Sequence, residues 1–145
     1  MPIAASLILF AAAAAMPASL PLDAAALARL PAATATLTAH GQSQACSGVW
    51  LADLAAAAGL PSGEAVRGPA LTMLIVAEAA DGYKVAFTLA EVDRKLGNHP
   101  VLIASACGGK PLAGEDGPLR LVVPGEARAA RSVRQLRQLQ IVALP

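Results

Sequence analysis

Hydrophobic and polar residues alternate along two short stretches of the chain, a pattern typical of half-buried strands. These stretches are residues 35–39 and 83–89, and the second follows Asp81-Gly82, a dipeptide typical of tight hairpins. Four further strands are predicted where the chain is largely apolar, at residues 71–79, 101–106, 119–123 and 140–144. The pattern therefore predicts a domain in which strands dominate.

Helical patterns are short and few. Residues 48–59 begin extended and become a helix that ends at Gly59, with Pro61 just beyond it. Residues 89–96 fit one or two helical turns, and Asp23 is a candidate cap for a short helix over residues 23–30. No repeat or linker interrupts residues 23–145, so the sequence predicts one α+β domain there, built mainly of β-sheet with short helices.

The first 22 residues contain no charged side chain. Their apolar run at residues 3–15, followed by Met-Pro-Ala-Ser, is typical of a secretory signal peptide, so residues 1–18 are expected to lie outside the domain. An uncleaved anchor is the alternative, but the run is shorter than the ~20 residues needed to cross a bilayer. The sequence therefore predicts a periplasmic or secreted protein with no stable membrane span.

Composition bears on the partners that the protein can have. The chain is 56% hydrophobic, only 3% aromatic, and carries a net charge of +1. Nucleic-acid binders usually present a broad basic surface or stacking aromatic rings. The composition therefore predicts no nucleic-acid partner.

The chain has two cysteines, Cys46 and Cys107. Disulfides persist in the oxidising compartments that an exported protein reaches. A bond between these cysteines would close a loop of about 60 residues and contribute about 4 kcal/mol. Two small buried thiols are the alternative, and the sequence leaves both interpretations open.

Familiar catalytic and metal-binding motifs are absent from the sequence. It contains no CxxC, HxH or HExxH spacing, which argues against a metal site, and no GxSxG nucleophile motif or phosphate-binding P-loop. The sequence therefore predicts no catalytic residue and no metal ligand.

Residues 117–142 hold five arginines against a single acid, Glu126. Four of the arginines recur at every third position: Arg128, Arg131, Arg134 and Arg137. A helix would stack them along one side, and Ser132 lies among them. Guanidinium groups bind phosphate bidentately and turn N–H groups assist them, so the segment permits a small-anion site. A solvated basic edge is the alternative.

Four segments follow one another along the chain: LADLAAAAG, DGYKVAFTLAEV, VLIASACGGKPL and GPLRLVVPGEARAARSVRQLRQLQIV. Together they resemble the molybdopterin-binding domain of the sulfite-oxidase type, a family with small exported stand-alone members. The similarity spans residues 34–142. It implies a mixed α+β fold with molybdopterin as the expected cofactor, and it makes Arg131, Ser132 and Arg134 the expected contacts of the cofactor's phosphate. Arg120 is expected to be structural.

The chain departs from the family where catalytic members carry a molybdenum-ligating cysteine in a C-x-G-N-x-R segment. Only TAHGQSQACS occupies that region, and Cys46 lies two residues before Gly48-Val49 rather than at the ligand position. The expectation is therefore a non-catalytic, exported domain that binds a pterin or another small anion. The alternatives are a molybdopterin-dependent oxidoreductase with Cys46 as metal ligand, and a periplasmic interaction module whose exposed strand edges pair with a protein partner.

Overall fold

The computed structural model describes residues 16–145. Most of the predicted signal peptide lies outside the described residues. Eight strands form the framework: β1 (Ala33–Ala39), β2 (Gln42–Trp50), β3 (Met73–Ala79), β4 (Lys84–Thr88), β5 (Leu102–Cys107), β6 (Lys110–Pro111), β7 (Arg120–Val122) and β8 (Leu136–Ala143). Three short α-helices accompany them: α1 (Ala24–Ala28), α2 (Leu51–Ala57) and α3 (Leu89–Val92). The predicted mainly β, α+β fold is confirmed.

The first sheet has the order β1-β2-β5-β6, and β7 pairs with β5 beside β6. Strands β1 and β2 form a hairpin whose turn residues, His40 and Gly41, both have positive φ. Turns of this kind match the natural twist of paired strands. The turn is short, because β2 already begins at Gln42.

Strand β2 passes very close to β5 at Gly48, where the pairing register shifts. A Cβ atom at this position would lie 1.8 Å from the carbonyl oxygen of Ile103. The close approach therefore requires glycine at residue 48.

The second sheet has the order β4-β3-β8, with every pair antiparallel. Buried and half-buried residues alternate along β3, which covers the core with one face. The Asp81-Gly82 turn joins β3 to β4 as predicted, while β8 begins at Leu136, earlier than the predicted 140.

The helices fill the gaps between the strands. Helix α2 follows β2 directly, and Gly59, with φ of 95°, lies just beyond its end as the sequence indicated. Helix α3 has one turn, and Thr88 and Glu91 exchange side-chain and backbone hydrogen bonds at its start.

The core lies between the two sheets and extends to the N-terminal segment. Its most deeply buried large side chains include Leu51, Ile75, Phe87, Leu121 and Leu139. Leu20 is also buried, and its N–H donates to the carbonyl of Leu139 at 2.9 Å. The folded unit therefore includes residues before the predicted start at residue 23. In residues 16–145, no helix has the length and apolar character needed to cross a membrane.

Candidate functional site

The structure separates the arginines that the sequence groups together. The arginines do not stack along a helix, because the helical turn within residues 117–142 is a single 3-10 turn at Ala129–Arg131. The backbone pairs with the β7 region instead: Leu121 donates to the carbonyl of Val133, and Leu136 donates to that of Leu119. These long-range hydrogen bonds replace the bonds that a helix would make along itself.

Arg131 lies at the centre of an ionic cluster. Its Nη2 is 2.6 Å from a carboxylate oxygen of Glu126, and its Nη1 is 3.1 Å from Glu91 and 2.9 Å from the carbonyl of Ala86. The guanidinium also stacks 4.5 Å from the ring centroid of Phe87. Hydrogen bonds to Glu126, and to a lesser extent to Glu91, raise the pKa of Arg131 above its ordinary value.

This arrangement gives Arg131 a structural role. All three guanidinium nitrogens already have acceptors in the protein: Nε and Nη2 on carboxylates, and Nη1 on a carboxylate and a carbonyl. An incoming phosphate would also meet the two carboxylates that flank the arginine. Arg131, predicted as a phosphate contact, is thus held within the scaffold.

Ser132 joins strand β7 to the arginine-rich segment. The residue is buried, and its hydroxyl oxygen accepts from the backbone N–H of Val123 at 3.0 Å. Its carbonyl accepts from Nη2 of Arg120, also at 3.0 Å. Both contacts bind parts of the protein to one another, so this predicted phosphate contact also supports the scaffold.

Arg134 differs from the other two predicted residues because it is exposed and borders a cavity. The cavity has a volume of about 570 Å³ and lies between the end of the β1–β2 hairpin and the Ala129–Arg134 segment. Its polar lining comprises His40, Gln42, Ser43, Gln44, Asp116, Arg120, Ser132 and Arg134. Sequence analysis missed the hairpin residues, since nothing in their spacing connects them to the arginines.

Arg120 forms the buried wall of this cavity. Its side chain is only 9% exposed, and its Nη1 lies 3.6 Å from Asp116, too far for a good hydrogen bond. Its Nε has no hydrogen-bond partner among the described residues. Burial lowers the pKa of Arg120, and the positive charge of Arg134 lowers it further, while Asp116 opposes the shift. Arg120 has a structural hydrogen bond to the carbonyl of Ser132, in line with the expectation. It also faces the cavity, which the sequence did not indicate.

The two cysteines belong to a small buried apolar cluster on the first sheet. Cys46 on β2 stands directly opposite Cys107 on β5, and the two form a disulfide. Cys46 is 1% exposed. Neither sulfur is available as a thiolate in this state.

A further group that sequence analysis missed adjoins the Arg131 cluster. His99 Nε2 lies 4.0 Å from a carboxylate oxygen of Glu126, and this nitrogen is buried without a hydrogen-bond partner in residues 16–145. No spacing rule links these residues, because the fold brings them together from separate loops. Within the described part of the chain, no group of three or more His, Cys, Asp or Glu side chains is arranged to hold a metal ion.

The protein is thus a mainly β domain in which an arginine-containing turn borders a polar cavity. The family model for the oxidoreductase molybdopterin binding domain matches residues 34–145. The chain therefore belongs to the oxidoreductase molybdopterin-binding domain family, and the resemblance drawn from the four sequence segments is confirmed. No curated protein matches the chain.

The residues present fit the phosphate of the family's cofactor but not its molybdenum. Arg120 and Arg134 face a single carboxylate, Asp116, so the cavity has a positive balance suited to a phosphate. The family resemblance implies a cysteine thiolate as the molybdenum ligand, and the disulfide occupies both sulfurs. We therefore derive no reaction at a molybdenum centre for this chain.

Proposed function

We propose that this protein is a non-catalytic member of its family that binds a small anion, either a pterin phosphate or a related phosphate compound. The observation that carries the proposal is the pair Arg120 and Arg134 beside one cavity, with Asp116 as their shared carboxylate. An anion in the cavity would neutralise the excess positive charge.

The two arginines suit complementary tasks in such a site. Arg120 is held by burial and by its hydrogen bond to the carbonyl of Ser132, so it needs little further ordering when an anion arrives. Arg134 has a side chain that is 60% exposed, and its contact with Asp116 is a loose 4.0 Å. It is free to turn from Asp116 to a ligand because exposed ion pairs are weak.

Orthophosphate titration by calorimetry at fixed ionic strength tests the anion site. The Arg134→Gln variant should bind phosphate at least ~10-fold more weakly, as expected for the loss of a charge-assisted hydrogen bond. Arg137→Gln is the matched control, because it removes the same charge from an exposed position on β8. Equal weakening in both variants would indicate a general charge effect and contradict the proposed site.

The proposal that the protein is non-catalytic rests on the two cysteine sulfurs, which are bonded to each other. An oxidoreductase using Cys46 as metal ligand would first have to break the bond to Cys107 and expose a residue that is 1% accessible. Metal analysis of protein from its native host tests this alternative. Molybdenum at near one per chain that disappears in Cys46→Ser would favour the oxidoreductase and sink our proposal.

We further propose that the protein acts in the periplasm or outside the cell. The uncharged N-terminal segment supports export, and the disulfide fits an oxidising compartment. N-terminal sequencing after cell fractionation tests this. Export predicts a periplasmic or secreted chain that starts after residue 15, whereas a cytoplasmic chain retaining its start would contradict it.

A further inference from the structure

Strand β1 has one edge to which no other strand is hydrogen-bonded in residues 16–145. It is seven residues long, Ala33–Ala39. The other outer strands offer less: β4 has five residues and begins with Lys84, and β7 has three. The outer side of β8 is partly covered, because Ser19 forms a bridge to Gln140. The β1 edge is therefore the longest uncovered edge in the described part of the protein.

The β1 edge lacks the features that usually prevent strands from pairing between molecules. Natural edge strands often carry a lysine, another inward-pointing charge or a proline. Here the chain contains no Lys, Arg, Asp or Glu from residue 30 to residue 52, a span that covers both β1 and β2. The exposed side chains of β1 are the small, β-branched Thr34, Thr36 and Thr38.

The sequence of β1, ATATLTA, is nearly the same when read in reverse. If two copies of the strand pair antiparallel about Thr36, that residue faces its own counterpart. Thr34 then faces Thr38 of the second copy, and Ala33 faces Ala39. This self-complementarity is what a two-fold symmetric interface requires.

We infer that β1 pairs antiparallel with β1 of a second copy of this chain, joining the two β1-containing sheets into one continuous sheet. Main-chain hydrogen bonds would hold the strands together, and the threonine pairs would pack on one face. A shift by one residue would place threonines on the face that carries Ala35 and Leu37, which argues against that register. The inference does not depend on the anion site.

Charge substitution at the symmetry centre tests the interface. The protein should sediment at twice the mass of a single copy, measured at roughly 100 µM because association depends on concentration. Thr36→Lys and Thr36→Glu should each give the single mass, since like charges then meet across the two-fold axis. An equimolar mixture of the two variants should return to the doubled mass.

The control is Gln138→Lys, which adds the same charge at an exposed position on β8 and should leave the doubled mass unchanged. Circular dichroism of both Thr36 variants establishes that they remain folded. A single mass for the unaltered chain overturns the inference. So does a doubled mass that persists in Thr36→Lys, or a mixture of the two variants that does not reassociate.

Discussion

Breaking the bond between Cys46 and Cys107 should strongly destabilise the domain. The two residues are 61 positions apart in sequence, so the bond closes a long loop in the unfolded chain. The chain-entropy model assigns a loop of this length about 4 kcal/mol of stabilisation. A typical domain has only ~5–15 kcal/mol of stability in total, so the loss would be a large part of it.

Urea unfolding of the oxidised and the reduced protein measures this contribution. The two samples share every side chain, so the difference isolates the cross-link from the packing of the sulfurs. With a urea dependence of ~1–3 kcal/mol per molar, the unfolding midpoint should fall by roughly 2 M on reduction. The double variant Cys46→Ala, Cys107→Ala should behave like the reduced protein, with a further small loss from the cavities left behind.

A difference below ~1 kcal/mol between the oxidised and the reduced protein would refute the reasoning. It would mean that the unfolded chain is already restricted by residual structure, or that the bond strains the folded sheets. Two titratable thiols in the unreduced, denatured protein would refute it more directly, because the bond would then be missing from the protein in solution.

Three other substitutions test the packing described above. Arg131→Met should lower the free energy of unfolding by about 2 kcal/mol, because Glu126 and Glu91 lose their counter-charge. Gly48→Ala should cost about 3 kcal/mol in the same denaturation assay, because the new Cβ collides with the carbonyl of Ile103. Thr88→Ala should cost about 1 kcal/mol, because helix α3 loses its capping hydroxyl.

Matched controls separate these causes from general effects of substitution. Arg137→Met removes an exposed arginine, and Ser47→Ala alters the exposed neighbour of Gly48; each should stay within ~0.5 kcal/mol of the unaltered protein. Equal losses at Arg131 and Arg137 would contradict the ionic-cluster argument. A Gly48→Ala variant as stable as the unaltered protein would show that the two strands can move apart at no cost.

Local signals predicted most of the fold. The Asp81-Gly82 turn, the helix end at Gly59 and the alternation near residues 35–39 depend on neighbouring residues, and the structure has each of them. Backbone conformation and strand burial are set over a few residues, so such patterns can be recognised in one sequence.

The arginine-rich segment could not be predicted from its spacing. A period of three suggests one face of a helix, but the backbone of this segment bonds to the β7 region over 12 residues or more, as between Leu121 and Val133. Two partners of Arg131 are likewise distant in sequence: Glu91 and Ala86 lie 40 and 45 positions away. Tertiary pairing of this kind overrides local periodicity and leaves no trace in the spacing of the arginines.

The cavity was hidden from the sequence for a related reason. Its arginines belong to β7 and the following turn, whereas most of its neutral polar residues belong to the β1–β2 hairpin. Only the three-dimensional arrangement of the first sheet brings these segments together. The resemblance directed attention to a segment that borders the cavity, but it could not distinguish the arginine that faces the cavity from the one that the scaffold retains.

Substitutions of Arg131 and Arg134 should therefore affect different properties, stability and phosphate binding respectively, although the two residues are only three positions apart. Arg131 has its nitrogens bound to protein acceptors, so its loss should reduce stability and leave phosphate affinity within a few-fold when the protein is folded. Arg134 is exposed beside the cavity, so its loss should reduce phosphate affinity and leave stability within ~0.5 kcal/mol. Measuring unfolding and phosphate binding on both variants decides between this division and a shared site. If the folded Arg131→Met protein loses phosphate binding as fully as Arg134→Gln does, the ionic cluster must open to admit the anion, and the two arginines act together.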